Sequence, residues 1–385
     1  MSKDPVALLS DLIRCASVTP TNAGVLDVVE AFLTPLGFTC TRLKFEGDGS
    51  YPVDNLFATR GTTGKHLLLN GHTDVVPVGN EDDWTHPPFS AHLEDGILWG
   101  RGAVDMKSGV AALCAAAARA IENGHADKGT ISIAITNDEE ADAVNGSAKI
   151  LSWAKAQGHT FDFAIVGEPS SKTEIGDRLK VGRRGSFDGR IIVRGKQGHA
   201  AYPETTNNPI PVLAKIAVAL TSVPLDEGNE NFQPSNLEIT TFDVGNTATN
   251  IIPAKATLRF NIRFNDIWNA DGLTDWTKTQ IASVDAAGCQ VEFDNPSPVA
   301  MSFMCPIGEG VALLDEVIKA HRGAVPAHST TGGTSDARFI AQYCPVVECG
   351  LVGVHMHAVD ERVPTEQVEQ ITGIYTDFIA RFLAN

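Results

Sequence analysis

No Cys-x-x-Cys pair occurs in this sequence, and its seven cysteines (Cys15, Cys40, Cys114, Cys289, Cys305, Cys344 and Cys349) are scattered and odd in number. That pattern argues against a disulfide frame and against cysteine-bound zinc; reduced thiols and a cytoplasmic location are expected. Basic side chains are scarce: 30 Lys and Arg face 47 Asp and Glu, a formal charge of −17. A surface of that sign argues against partners recognised through a phosphate backbone, so no nucleic acid is expected. Long apolar runs are missing too. The most apolar stretch, "GVAALCAAAARAI", is alanine-rich and falls short of the roughly 18–20 residues a bilayer requires, so no membrane span is expected. The opening "MSKDPVALLSDLIRC" is polar and then amphipathic, without the charged leader and apolar core of a secretion signal. Also absent are a G-x-S-x-G nucleophile elbow, a G-x-x-x-x-G-K-[ST] phosphate loop and a G-x-G-x-x-G helix opening; "GTTGK" and "STTGGTSD" have the wrong spacing.

What is present describes an ordinary globular chain, 43% hydrophobic and 20% charged over 385 residues, long enough for two domains or for one with a large insertion. Two helical patterns, near 5–16 and 24–36, precede the strand-like runs "TCTRLKF", "DNLFATR" and "KHLLLNG". The helix "MKSGVAALCAAAARAIENG", the strand "GTISIAIT", a helix near 145–157 and the strand "FDFAIVGEP" follow. Alternation of this kind predicts an α/β domain with a mixed, mainly parallel sheet flanked by helices, in which ligands gather at the C-terminal ends of strands. From about residue 185 the order becomes βαββαβ, a two-layer α+β unit in its own right, before helix–strand alternation resumes after 297. The expected organisation is a catalytic domain of residues 1–182 and 297–385 interrupted by an inserted domain of residues 183–296.

Polar clusters stand where strands of the first domain should end. "LLLNGHTDVVP" carries His72 and Asp74, on one side of an extended chain and spaced so that the carboxylate could orient the imidazole. "GRGAVDMKSG" places Asp105 before the alanine-rich helix, where an N-cap is the plain alternative. "NDEEAD" supplies Asp138, Glu139 and Glu140, open to a solvated turn or a helix N-terminus as well as to a site. "AIVGEPS" adds Glu168, and "GLVGVHMHAVDERVP" adds His355 and His357. Each carboxylate has a bland reading, yet gathering several at one sheet edge without a cation costs several kcal/mol in repulsion. Imidazoles with carboxylates and no thiolates suit zinc, cobalt or manganese, and two ions sharing a carboxylate at roughly 3.5–4 Å would leave a water between them for hydrolysis.

The motifs "NGHTDVVPVG", "WGRGAVDMKSG", "TNDEE", "VGEPSS", "VGRRGS", "GKQGHAAYP" and "TGGTSDARF", in this order, resemble the di-zinc aminoacylase and carboxypeptidase family over nearly the whole chain. "RRGS", "GTSDARF" and "HAVDE" resemble its desuccinylase branch, whose members release succinate from N-succinyl-LL-2,6-diaminopimelate in bacterial lysine biosynthesis; acetylornithine deacetylases are the nearest sibling branch. The resemblance implies a metal-dependent amidohydrolase with two Zn²⁺ per subunit, Co²⁺ being possible in the second position. It implies that His72 and Glu168 bind one ion, Glu140 and His357 the other, and that Asp105 bridges both, with a cis peptide between Asp105 and Met106. Asp74 would orient His72, and Glu139 would be the general base. The inserted domain would be a lid and dimerisation domain, with His199 and Asn250 serving the site of the second subunit in a homodimer. Arg183, Ser186, Arg263, Thr334 and Arg338 match positions that grip the carboxylates of a small anionic substrate; Arg184 is open to a structural ion pair instead. The chain departs from the pattern of the family it resembles at Ala141 and Asp142, where glycine usually follows the paired glutamates.

Overall fold

In the computed structural model, which describes residues 3–384, the chain divides into two compact units. The first comprises residues up to Val181, Met304–Ser329 and Ser335 onward; the second comprises Gly182–Phe303 and Thr330–Thr334.

The first unit is built on an eight-stranded sheet. Its centre is parallel: His66–His72 lies between Thr130–Thr136 and Phe163–Val166, and Val346–Glu348 follows Phe163–Val166. Thr39–Gly47 and Ser50–Arg60 close one side as an antiparallel pair, and Arg178–Lys180 with Ala327–Ser329 close the other. The central strands are buried along their whole length, which is why "HLLLNGH" and "TISIAIT" read as near-continuous apolar runs. Leu67, Leu69, Ile131, Ile133 and Ile135 face the main core with Leu12, Ala116 and Phe378 from the helices Pro5–Arg14, Lys107–Glu122 and Thr365–Ala384. On the opposite face Phe57 meets Trp153 of the helix Ser147–Ala156 edge-on, 5.4 Å between ring centres. Helices therefore cover both faces, as expected of a mainly parallel sheet.

The alanine-rich stretch makes sense as packing. Thirteen of the sixteen residues of Lys107–Glu122 are buried, and small side chains let neighbouring elements come close on every side. The approach is close at its head, where a Cβ on Gly71, in the strand His66–His72, would lie 2.6 Å from Met106. The head of this helix is thus drawn against the strand ends. Among the described residues no helix is long and apolar enough to cross a membrane, and all seven cysteines are free thiols.

The second unit has the order βαββαβ: Gly185–Arg194, Pro209–Ser222, Asn236–Asp243, Lys255–Phe264, Ala270–Ala282 and Gln290–Asp294. Its four strands form an antiparallel sheet with Lys255–Phe264 and Gly185–Arg194 central. Strict alternation in Gly185–Arg194 sends Phe187, Ile191 and Val193 into a separate core with Val212, Leu213 and Ile216 of the first helix. The unit runs to Phe303 rather than to 296, because Ser186 pairs with Ala300 through backbone hydrogen bonds in both directions and carries the chain beyond Asp294 along the sheet.

Candidate active site

Three parallel strands of the first unit end side by side, and each delivers an acid or imidazole at or just beyond its end. His72 closes His66–His72, Glu139 and Glu140 follow Thr130–Thr136, and Glu168 follows Phe163–Val166. Asp105 enters from the head of Lys107–Glu122. It does not cap that helix: Met106 holds the cap position and no side chain there bonds to a helix N–H. The peptide between Asp105 and Met106 is cis.

His72 is fully enclosed, with its ring fixed by the hydrogen bond from Nδ1 to the backbone carbonyl of Asp74 at 3.0 Å. A carbonyl can only accept, so Nδ1 carries a proton and Nε2 is the nitrogen turned to the cluster. That Nε2 is buried and without a hydrogen-bond partner, as is Oδ1 of Asp105, 3.3 Å away. Glu168 Oε1 is 3.5 Å and Glu139 Oε2 4.0 Å from the same nitrogen. On the other side, His357 Nε2 lies 3.4 Å from Asp105 Oδ2 and 3.1 Å from Glu140 Oε1. Neighbouring ligands on a tetrahedral ion with bonds of about 2.0 Å sit about 3.3 Å apart, close to the spacings in both sets. The donors present therefore suit divalent cations: His72, Asp105 and Glu140, and His72, Glu139 and Glu168, form groups able to hold one, and His357 faces Asp105 and Glu140 from the other side.

Electrostatics gives the same result. Burial and the neighbouring Asp105 charge push Glu168 up to about 7. Burial raises Glu139 well above the usual carboxylate range, with Glu168, Asp336 and Glu140 adding to it against the opposing pull of His72. Hydrogen bonds to Asp105 and Glu140 hold His357 up at about 10, and contacts with Asp105 and Glu168 outweigh burial to raise His72. Protons are being recruited to neutralise a cluster with too much negative charge, the task a bound cation performs.

Asp74 differs from the sequence expectation in one respect. Its carboxylate is 3.6 Å from His72 Nδ1 and is engaged elsewhere, accepting the backbone N–H groups of Glu139 and Glu140 and the hydroxyl of Thr19. The residue orients His72 by its carbonyl and the two glutamates by its side chain. Asp138 also turns away from the cluster, accepting from Tyr51 and from the N–H groups of Ala143, Val144 and Asn145. Ala141 and Asp142 are exposed, and Asp142 is bound by Ser50. Of the two histidines in "HMH", it is His357 that meets the carboxylates.

His199 and Asn250 lie together on the second unit: Gly198–His199 pairs with Ile251–Ile252, and Ala200 donates to the carbonyl of Asn250. Both residues are exposed. Ser186 and Arg263 are cross-strand partners there, with Arg183 buried and Thr334 half-buried in the same unit. Arg184 donates to the Pro234 carbonyl and the Asn236 side chain, neutral acceptors where an ion pair was the alternative. Arg338 belongs to the first unit, where it bonds to the Ser335 carbonyl and stacks on Phe339 at 4.3 Å.

A donor group that the sequence reading did not single out, His86, His92 and Glu94, also lies in the first unit. Its imidazoles stack 3.8 Å apart at 19°, so their in-plane lone pairs run side by side rather than converging on one ion.

The family model for peptidase family M20/M25/M40 matches residues 68–381. Among solved structures, the chain is similar to the M20 family metallo-carboxypeptidase Sso-CP2 from Sulfolobus solfataricus (16% identity, all of both chains, TM-score 0.81). It is also similar to a tripeptidase from Staphylococcus aureus (20% identity, all of both chains, TM-score 0.78). A third is the YXEP protein of Bacillus subtilis, described as a dinuclear metal binding peptidase (15% identity, 99% of this chain and 98% of that one, TM-score 0.71). At these identities the likeness establishes the fold, whereas the sequence match spans most of the chain and every donor of the cluster. The chain belongs to peptidase family M20/M25/M40, a family of metal-dependent hydrolases.

Proposed function

We propose that the protein is a cytoplasmic, homodimeric amidohydrolase that releases succinate from N-succinyl-LL-2,6-diaminopimelate, yielding LL-2,6-diaminopimelate for bacterial lysine synthesis. The observation that carries the reaction class is Asp105, whose two oxygens face two different imidazole–carboxylate sets with Glu139 beside one of them. Support for the substrate comes from "RRGS", "GTSDARF" and "HAVDE", and from arginines that suit an anionic ligand in an otherwise acidic protein.

His72 and Glu168 would hold one ion, Glu140 and His357 the other, with Asp105 shared; zinc suits this set, and cobalt the second position. When bound, the ions supply Lewis acidity to the attacking water and the scissile carbonyl. Glu139 takes a proton from that water and passes it to the amide nitrogen as the C–N bond breaks. Asp74 keeps Glu139 aimed through its backbone N–H. His199 of one chain, with Asn250, would donate to the developing oxyanion in the site of the other. Arg183, Arg263 and Arg338, with Ser186 and Thr334, would grip the substrate carboxylates.

The test is hydrolysis of succinyl-diaminopimelate, N-acetylornithine and a tripeptide by the zinc-loaded protein. The desuccinylase reading expects succinyl-diaminopimelate to have the highest kcat/KM. Faster turnover of acetylornithine would replace it with a deacetylase, and faster tripeptide cleavage with a peptidase. No turnover of any of the three by metal-loaded protein would leave a non-catalytic metal-binding relative.

A further inference from the structure

Glu361 is fully buried and sits four residues beyond His357. Both of its oxygens are occupied. Oε1 accepts the backbone N–H groups of Val104 (2.8 Å) and Asp105 (3.1 Å); Oε2 accepts the N–H of Gly102 (3.0 Å) and Nη1 of Arg101 (2.8 Å). The loop that carries Asp105 is thus wrapped around one carboxylate from the segment that carries His357.

Arg101 completes the clasp from the other direction. It is 2% exposed, its guanidinium packs on Trp84, and it donates to the carbonyls of Ala358 (3.1 Å), His357 (3.5 Å) and Pro77 (3.3 Å). The segment it holds needs holding. His355, His357 and Asp360 all have positive φ, at 71°, 60° and 59°, a left-handed conformation that non-glycine residues seldom adopt unless the surroundings impose it.

An ion pair this deeply buried is poor evidence of stability as such, because desolvating both charges opposes their attraction. What the pair does specifically is join two loops. Each of these hydrogen bonds runs between the Asp105 loop and the His357 segment, apart from the one to Pro77. His72 and Glu168, in contrast, are placed by the parallel sheet and take no bond from either residue.

We propose that Arg101 and Glu361 are positioning residues chiefly for one metal position, the one formed by Asp105, Glu140 and His357, fixing the distance between Asp105 and His357 without touching an ion. This rests on the two-cation reading of the site. The asymmetry is the content of the claim: the first ion shares Asp105 but keeps His72 and Glu168, which the sheet holds, so loosening the clasp should weaken the second ion far more than the first.

The experiment is calorimetric titration of metal-free protein with Zn²⁺, and with Co²⁺ followed by its visible absorption, for wild type, Glu361→Gln and Arg101→Lys. Arg101→Lys keeps the charge and loses the fork, so it serves should Glu361→Gln fail to fold. The expected result is two binding events in wild type and, in the variants, a weaker second event by about 10- to 100-fold, the usual effect of removing a partner of a metal ligand. The first event, which shares only Asp105 with the clasped loop, should weaken far less. Restoring the carboxylate with Glu361→Asp should recover part of the second affinity. Equal weakening of both events, or no weakening in a folded variant, overturns the positioning role. Failure of wild type to bind a second ion would overturn the two-cation reading itself, and the proposal with it.

Discussion

Gly109 stands so close to Gly167 that a Cβ atom on it would lie 2.1 Å from the Gly167 carbonyl oxygen. This contact seats the alanine-rich helix against the strand end that carries Glu168, and it binds Asp105 and Glu168 into one rigid arrangement. Gly109→Ala should therefore destabilise the fold by roughly 1–3 kcal/mol, since backbone rather than a flexible side chain must give way. Urea denaturation of the metal-free protein measures that cost. Titration with Zn²⁺ should show a weaker ion at the His72 position as Glu168 is displaced.

Glu139→Gln separates a proton carrier from a ligand. The variant should keep its full metal content by elemental analysis and lose about 10²-fold or more in kcat. Loss of metal with the activity would make Glu139 a ligand instead.

Removing metal should destabilise the protein, because the buried carboxylates are then left to repel one another. Chelation is expected to lower Tm, and added Zn²⁺ to restore it; at a free concentration of 100 times Kd the recovered stability is about 2.7 kcal/mol. An unchanged Tm in the presence of chelator would contradict the charge argument.

His66 lies at the far end of the strand that ends in His72, with Nε2 2.8 Å from the Ser132 hydroxyl. Burial, aided by His159, lowers it to about 4. The unfolded chain takes up this proton near pH 6.5 and the folded one only near 4. Its stabilising contribution is therefore complete above about pH 6.5 and is lost as pH falls towards 4. Tm should drop between pH 7 and 4.5, and His66→Gln should make that drop shallower than in wild type.

The proposed exchange of residues between subunits has its own signature. His199→Ala and Glu139→Gln chains should each be inactive alone and regain partial activity when mixed and refolded together. Persistent inactivity in confirmed heterodimers would place His199 outside the reaction.

Much of the site was legible because its residues announce themselves locally. His72, Glu139, Glu140 and Glu168 each follow an apolar run that reads as a buried strand, and parallel strands must end on the same edge. The order βαββαβ was legible for the same reason, through alternation within short windows. What escaped was long in sequence and buried in space. Arg101 and Glu361 are partners 260 residues apart, and nothing near either shows that they meet. Lys107, inside the motif "WGRGAVDMKSG", drew no reading of its own, yet its amine is fully buried and donates to the carbonyls of Leu12 and Cys15. The small sheet formed by His92–Glu94, Ile97–Trp99 and Arg362–Pro364 was missed because three-residue strands carry too little alternation to register.

The three consecutive acids of "NDEEAD" serve two different trades. Asp138 is a fastener, knotted to Tyr51 and to the next turn of backbone, and only by pinning that turn does it leave Glu139 and Glu140 free to face the cluster. Counting acids at this position therefore says little about whether a relative is competent. A more discriminating marker lies 87 residues upstream, in the tyrosine that the first acid requires. A homologue that kept all three carboxylates but lost that hydroxyl would carry the right letters with the wrong bearing.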